Sequence, residues 1–118
     1  KRKIYNGGYL MSKFILICAP ASSRSGYGDH ARDLIRSLLD ISQRNKFDIK
    51  IVDVRWGDCP RNALDKNNPD DKKILDLFLT NNQLDRQPDI YIDIRIPNEF
   101  QQIGKYNIGI TAGISKMD

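Results

Sequence analysis

The sequence predicts an α/β fold, a three-layer sandwich built on a mainly parallel sheet, and three observations predict it. Phe14–Ala19 is a nearly unbroken apolar run, which suits a central strand covered on both faces. It passes through small and glycine residues, Pro20–Gly28, directly into an amphipathic segment, the pattern of a strand, a tight loop and a helix. Further apolar runs follow at helix-length intervals, giving the order β-α-β-α-β-β with glycine or proline at the strand ends.

The first helix is expected from about Tyr27 to Gln43. Ala31, Leu34, Ile35, Leu38, Leu39 and Ile41 fall on one face at the helical spacing of about 3.6 residues, while Arg32, Asp33, Arg36 and Asp40 take the other. Asn45-Lys46 ends it, and Ile49–Val54 is the second strand, reached by a right-handed crossover. A long loop from Arg55 to Asp71 carries Gly57, Pro60 and Pro69, and loops of this length inside a domain are often functional. Asn67-Asn68-Pro69 opens the next helix, with Ile74, Leu75, Leu77, Phe78 and Leu79 as its apolar face and Asn81-Asn82 as its stop.

Asp89–Ile96 alternates strictly, so Ile90, Ile92, Ile94 and Ile96 face one side while Asp89, Tyr91, Asp93 and Arg95 form a polar or cleft-lining side. Tyr106–Thr111 is the last strand, ending in Ala112-Gly113. The whole reads as a Rossmann-like domain over 11–118, preceded by an appended segment over residues 1–10 with Met11 as the natural start. A last strand so near the end of the sequence suggests a domain truncated at its C-terminus.

Composition narrows the function classes. With 118 residues, 40% hydrophobic and 29% charged, the chain is of globular type and sized for one domain. Its apolar runs fall far short of the roughly 20 residues that span a bilayer, so no transmembrane segment is expected, and a cytoplasmic location is. Lys1, Arg2 and Lys3 supply most of the formal charge of +4, so a nucleic-acid partner is not expected. Cys18 and Cys59 lack metal or redox spacing, and the single histidine excludes a multi-histidine metal centre.

The candidate site is the glycine loop. Gly26 and Gly28 would permit positive φ and the close approach of a diphosphate at a helix N-terminus, with Arg24 adding charge; the plain alternative is a tight strand-to-helix turn. The loop is neither a P-loop nor a GxGxxG fingerprint. His30, in the first helical turn, is a ligand donor or else a surface residue, and Asp29 complements the helix dipole. Asp93 and Arg95 lie at a strand end where ligands gather, or pair with each other; Glu99 reaches a sugar hydroxyl or is a solvated loop carboxylate. Thr111–Gly113 allows close approach or is a turn, and Trp56, Gly57 and Asp58 form an acceptor side of the crevice or anchor a loop.

These residues together resemble the N-terminal domain of GT-B glycosyltransferases of the retaining, family 4 type. The likeness rests on Phe14–Leu39 with its Ser25-Gly26-Tyr27-Gly28 loop and Ala31-Arg32-x-Leu34 helix, on Pro88–Ile92, and on Lys105–Ile114, in that order over about residues 13–114. Ser115–Asp118 depart from the acidic continuation of that family. The resemblance implies an acceptor-side half of the enzyme that meets the donor diphosphate through Gly26, Tyr27 and Gly28. Arg24, His30, Asp93, Arg95, Glu99 and Thr111 are the cleft candidates beside it, and no catalytic residue is assigned. It implies a nucleotide-sugar donor, a hydroxyl acceptor, no metal or other cofactor, and a C-terminal donor-binding domain without which the chain is inactive. The alternatives are a flavodoxin-like module that uses Ser22–Gly26 as a phosphate loop for FMN or a nucleotide, with Trp56 and Tyr91 flanking the flavin, and an interaction fragment forming a homodimer through its sheet edge.

Overall fold

The computed structural model describes residues 12–81 and 83–111. The elements are β1 (Phe14–Ala19), α1 (Gly26–Asn45), β2 (Asp48–Asp53), α2 (Pro69–Leu75), β3 (Ile90–Ile94), a 3-10 turn over Pro97–Glu99, and β4 (Tyr106–Ile110). The four strands are all parallel in the order β2-β1-β3-β4. The fold is therefore α/β with the expected Rossmann-like parallel sheet. The segment expected over residues 1–10, the start at Met11, the stop at Asn82 and the stretch Ala112–Asp118 lie outside the described residues.

Helix α1 begins where Ser25 caps it. Ser25 is extended, and its hydroxyl accepts from the Gly28 N–H. The helix ends where Lys46 turns left-handed and donates its N–H back to the Ser42 carbonyl. Ala31 and Ile35 are fully buried and Leu34, Leu38 and Leu39 partly so, as their spacing requires. Ile41 departs from that expectation at 44% exposure, because it sits on the last turns at the rim of the apolar stripe. Arg32 departs in the opposite sense and is buried.

Helix α2 is shorter than its apolar pattern suggests. It starts as expected at Pro69 under an Asn68 cap and closes at Leu75. Leu77, Phe78 and Leu79 then run along the outer edge of β2, where the Ile51 N–H donates to Leu77 O (2.9 Å) and the Leu79 N–H to Ile51 O (2.9 Å). Unpaired edge groups of β2 offer hydrogen bonds that continued helix would forgo, and the apolar side chains still reach the core.

Both described helices pack on one face of the sheet, against a layer of isoleucines that includes Ile15, Ile17, Ile51, Ile92 and Ile94. Burying each such side chain contributes about 1.5–3 kcal/mol, so this layer dominates the stability. The opposite face carries Phe14, Leu16, Cys18 and Tyr91, with Val52, Val54, Leu79 and Ile103 against them. Tyr91 and Asp93 on the alternating side of β3 are each 1% exposed, and Tyr91 lines a groove there, the cleft-lining alternative of the two expected. This groove, of about 200 Å³, opens between Leu16, Cys18, Leu79, Leu84 and Ile103. Ile96 lies past the end of β3 and is exposed.

Candidate functional site at the carboxyl ends of the strands

The strand order places β1 between β2 and β3, so the chain leaves β1 toward one side and returns past it to the other. In open parallel sheets such a reversal is the place where ligands bind, outside the carboxyl ends of the two strands, here β1 and β3. The β1–α1 loop, Pro20–Ser25, stands at that end of β1. The segment after β3 and Thr111 after β4 lie along the same end of the sheet.

The loop is held from below by two side chains that sequence reasoning did not single out. Asp53, the last residue of β2, accepts from the Ser22 N–H (3.0 Å) and the Ser22 hydroxyl (2.5 Å), and Arg61 donates to the same carboxylate at 2.9 Å. Arg32, expected on the solvated face of α1, instead turns its guanidinium under the loop. It donates to the carbonyls of Ala21 (2.8 Å) and Ser23 (2.7 Å) and pairs with Asp29. Charge-assisted bonds of this kind are about twice as strong as neutral ones, so the loop is preorganised. Asp53 was legible only as a carboxylate at a strand end, and no local motif marks Arg32.

The two glycines have different reasons to be glycine, and neither adopts positive φ; among the described glycines Gly57 alone does. A Cβ on Gly28 would lie 2.2 Å from Ser23 O and 3.0 Å from Pro20 O, so Gly28 is demanded by the packing of the helix on its own loop. A Cβ on Gly26 would meet nothing within 4 Å. Gly26 is the exposed first residue of α1, and its N–H and that of Tyr27 stand outside the helical ladder. The backbone donors left over at the helix start are thus those of exposed Gly26 and half-buried Tyr27.

Tyr27 bridges the loops at this end of the sheet. Its ring stacks on Trp56, the centroids 4.1 Å apart and the planes 20° from parallel, and its hydroxyl is 2.7 Å from Thr111 Oγ1. Trp56 thereby acts as a loop anchor. Arg24 is exposed, its Nε donating to Asn62 Oδ1 at 2.7 Å, and His30 near the start of α1 is exposed as well.

Asp93, Arg95 and Glu99 form a separate unit on the other face. Arg95 grips both oxygens of the buried Asp93 carboxylate (2.6 and 2.9 Å) and donates to the Glu99 carbonyl, and the Gln101 N–H completes the set at 3.0 Å. The Asp93 carboxylate holds the Arg95 guanidinium firmly protonated. The pairing alternative for these residues is the arrangement found; they pin the turn after β3. The Glu99 side chain is exposed, and it is its backbone carbonyl that takes part.

Nearby, burial pushes the Cys18 thiol above its ordinary value, and burial first and the adjacent thiol second push the Tyr91 phenol up. Tyr91 lies in the second apolar cluster and Trp56 on Tyr27, so the two do not flank a common slot.

Among the described residues, no group of three or more His, Cys, Asp or Glu side chains is placed to hold a metal ion, and no helix is long and apolar enough to cross a membrane. No family model, curated protein or solved structure matches the chain.

Proposed function

We propose that the chain is the acceptor-side domain of a glycosyltransferase that moves a sugar from a nucleotide-sugar donor to a hydroxyl acceptor, and that it is inactive without a donor-binding domain. The observation that carries this reading is Gly26: an exposed, sterically open first residue of a 20-residue helix, at the reversal point of a parallel sheet, on a loop fixed by Asp53 and Arg32. The donor diphosphate approaches the N–H groups of Gly26 and Tyr27, where the positive end of the helix dipole offsets its charge as the bond to the sugar breaks.

Arg24 adds charge from the rim. Gly28 and Thr111 serve indirectly, one by letting the helix close on the loop and the other by fixing the Tyr27 hydroxyl. A cytoplasmic location, where nucleotide sugars are made, belongs to the same reading.

The test is a transfer and binding assay on the 118-residue chain with UDP-, GDP- and ADP-sugars. The reading expects no transfer and weak binding, with a Kd of roughly 1 mM. Sugar transfer by the chain alone, or tight FMN binding with none of nucleotide sugars, would overturn it.

A further inference from the structure

We infer that Pro60–Ala63 is a strap fastened across the β1–α1 loop, and that it lifts off as one unit while the loop itself stays in place. The strap is tied at each of its residues. The Pro60 carbonyl accepts from the Arg24 N–H (2.8 Å), and the Ala63 N–H donates to Ser22 O (3.1 Å). Between these two backbone bonds, Arg24 donates from Nε to Asn62 Oδ1 (2.7 Å) and from Nη2 to the Asn62 carbonyl (3.3 Å), and Arg61 donates to the Asp53 carboxylate at 2.9 Å. Consecutive residues tied in this way leave together.

The two sides of these contacts are held unequally. Pro60, Arg61 and Asn62 are exposed and Ala63 is half-buried, so lifting the strap uncovers little apolar surface. The apolar anchors of the segment flank the strap: Trp56, stacked on Tyr27, comes before it, and Leu64, packed on the core, comes directly after. Arg61 is 42% exposed in the side chain, and water replaces its ion pair at little cost. Ser22 and Ser23, by contrast, are 7% and 0% exposed. Buried Arg32 holds the Ala21 and Ser23 carbonyls, and Asp53 keeps both of its bonds to Ser22 when Arg61 leaves. A segment with exposed hydrogen bonds and few buried apolar contacts opens well below the free energy of global unfolding; the strap is such a segment and the loop is not.

Lifting changes the donors on offer at the carboxyl ends of the strands. The closed strap engages the Arg24 N–H, the Arg24 guanidinium and the Arg61 guanidinium in contacts within the protein, and the open strap releases all three. This holds whatever the loop binds.

Native-state hydrogen exchange read by NMR on the full 118-residue chain is the test, on wild type, Arg61→Met and Asn62→Ala, with circular dichroism melts to report that each variant is folded. In wild type the Arg24 and Ala63 amides are expected to share one opening free energy. Corrected for intrinsic rates, they exchange at least about 10-fold faster than the amides of Ser22, Ser23 and Gly28. Each variant loosens one tie, and so speeds Arg24 and Ala63 by a common factor of about 2- to 5-fold and leaves Ser22, Ser23 and Gly28 unchanged. Wild-type Arg24 and Ala63 amides that open independently, or only with global unfolding, overturn the inference. So does a variant that speeds Ala63 and not Arg24, or one that speeds Ser22 and Ser23 as much as Ala63, which would make strap and loop a single unit.

Discussion

The Tyr27 hydroxyl lies 2.7 Å from Thr111 Oγ1, joining the first turn of α1 to the residue that follows β4 across 84 positions of sequence. β3 stands between β1 and β4 in the sheet, so the bond spans the end of β3. With the Trp56 stack on its other side, Tyr27 ties the loops after β1, β2 and β4 into one rim. Tyr27→Phe and Thr111→Val are each expected to cost about 1 kcal/mol, the net worth of one hydrogen bond, and to be non-additive in a double-mutant cycle. Thermal melts of the four proteins measure it; additive effects would mean that the two hydroxyls do not act on each other.

The two glycines of the loop separate experimentally. Gly28→Ala places a Cβ 2.2 Å from a backbone oxygen that cannot swing away, and a loss of about 1–3 kcal/mol follows. Gly26→Ala meets open space at the helix start and leaves stability unchanged or raised by up to about 1 kcal/mol. Urea titration of both variants checks the contrast, and equal losses would contradict it.

Much of this was legible in the sequence. The unbroken run Phe14–Ala19, the Asn68-Pro69 helix start and the alternation of Ile90, Ile92 and Ile94 gave strands and helices close to where they stand, because each is a local pattern. What the sequence hid depends on long-range geometry. Arg32 is polar by type, yet the carbonyls of Ala21 and Ser23 make a buried place for it. Asp53 looks like any strand-end carboxylate until Ser22 and Arg61 close on it. Leu77, Phe78 and Leu79 continue the helical spacing of Ile74 and Leu75, and it is the vacant edge of β2 that draws them out of the helix.

The Asp93–Arg95 pair gives a third expectation. Asp93 is 1% exposed and its partner Arg95 16% in the side chain, so removing the cation strands a buried carboxylate. Arg95→Met is expected to destabilise by about 3–5 kcal/mol, whereas a surface pair such as Lys72–Asp76 contributes under about 1 kcal/mol. Chemical denaturation of Arg95→Met and Lys72→Met compares them. A loss at Arg95 no larger than at Lys72 would show that Asp93 does not depend on its partner.

Asp89 carries a pH dependence. The Phe14 N–H donates to its carboxylate at 2.8 Å, and Lys105 and Arg86 stand at 3.5 and 3.2 Å, so its carboxyl is held below its ordinary value, the Phe14 bond being the largest cause. The folded state therefore binds this proton less readily than the unfolded one. The stabilisation is complete above about pH 4, the unfolded value, and is lost as pH falls through the lowered folded-state pKa. Asp89→Asn is expected to flatten the fall of the melting temperature in that acid range; an unchanged slope would place the dependence elsewhere.

Gly26 and Tyr27 are proposed to present backbone donors to a diphosphate. Amide NMR of the chain titrated with UDP, GDP and ADP tests this, comparing wild type with Gly26→Val, whose added Cβ meets nothing within 4 Å. Amide shifts centred on Gly26 and Tyr27 are expected to saturate in the range of roughly 1 mM and to vanish in Gly26→Val at unchanged thermal stability. Shifts that leave Gly26 and Tyr27 untouched, or that persist in a folded Gly26→Val, would contradict it.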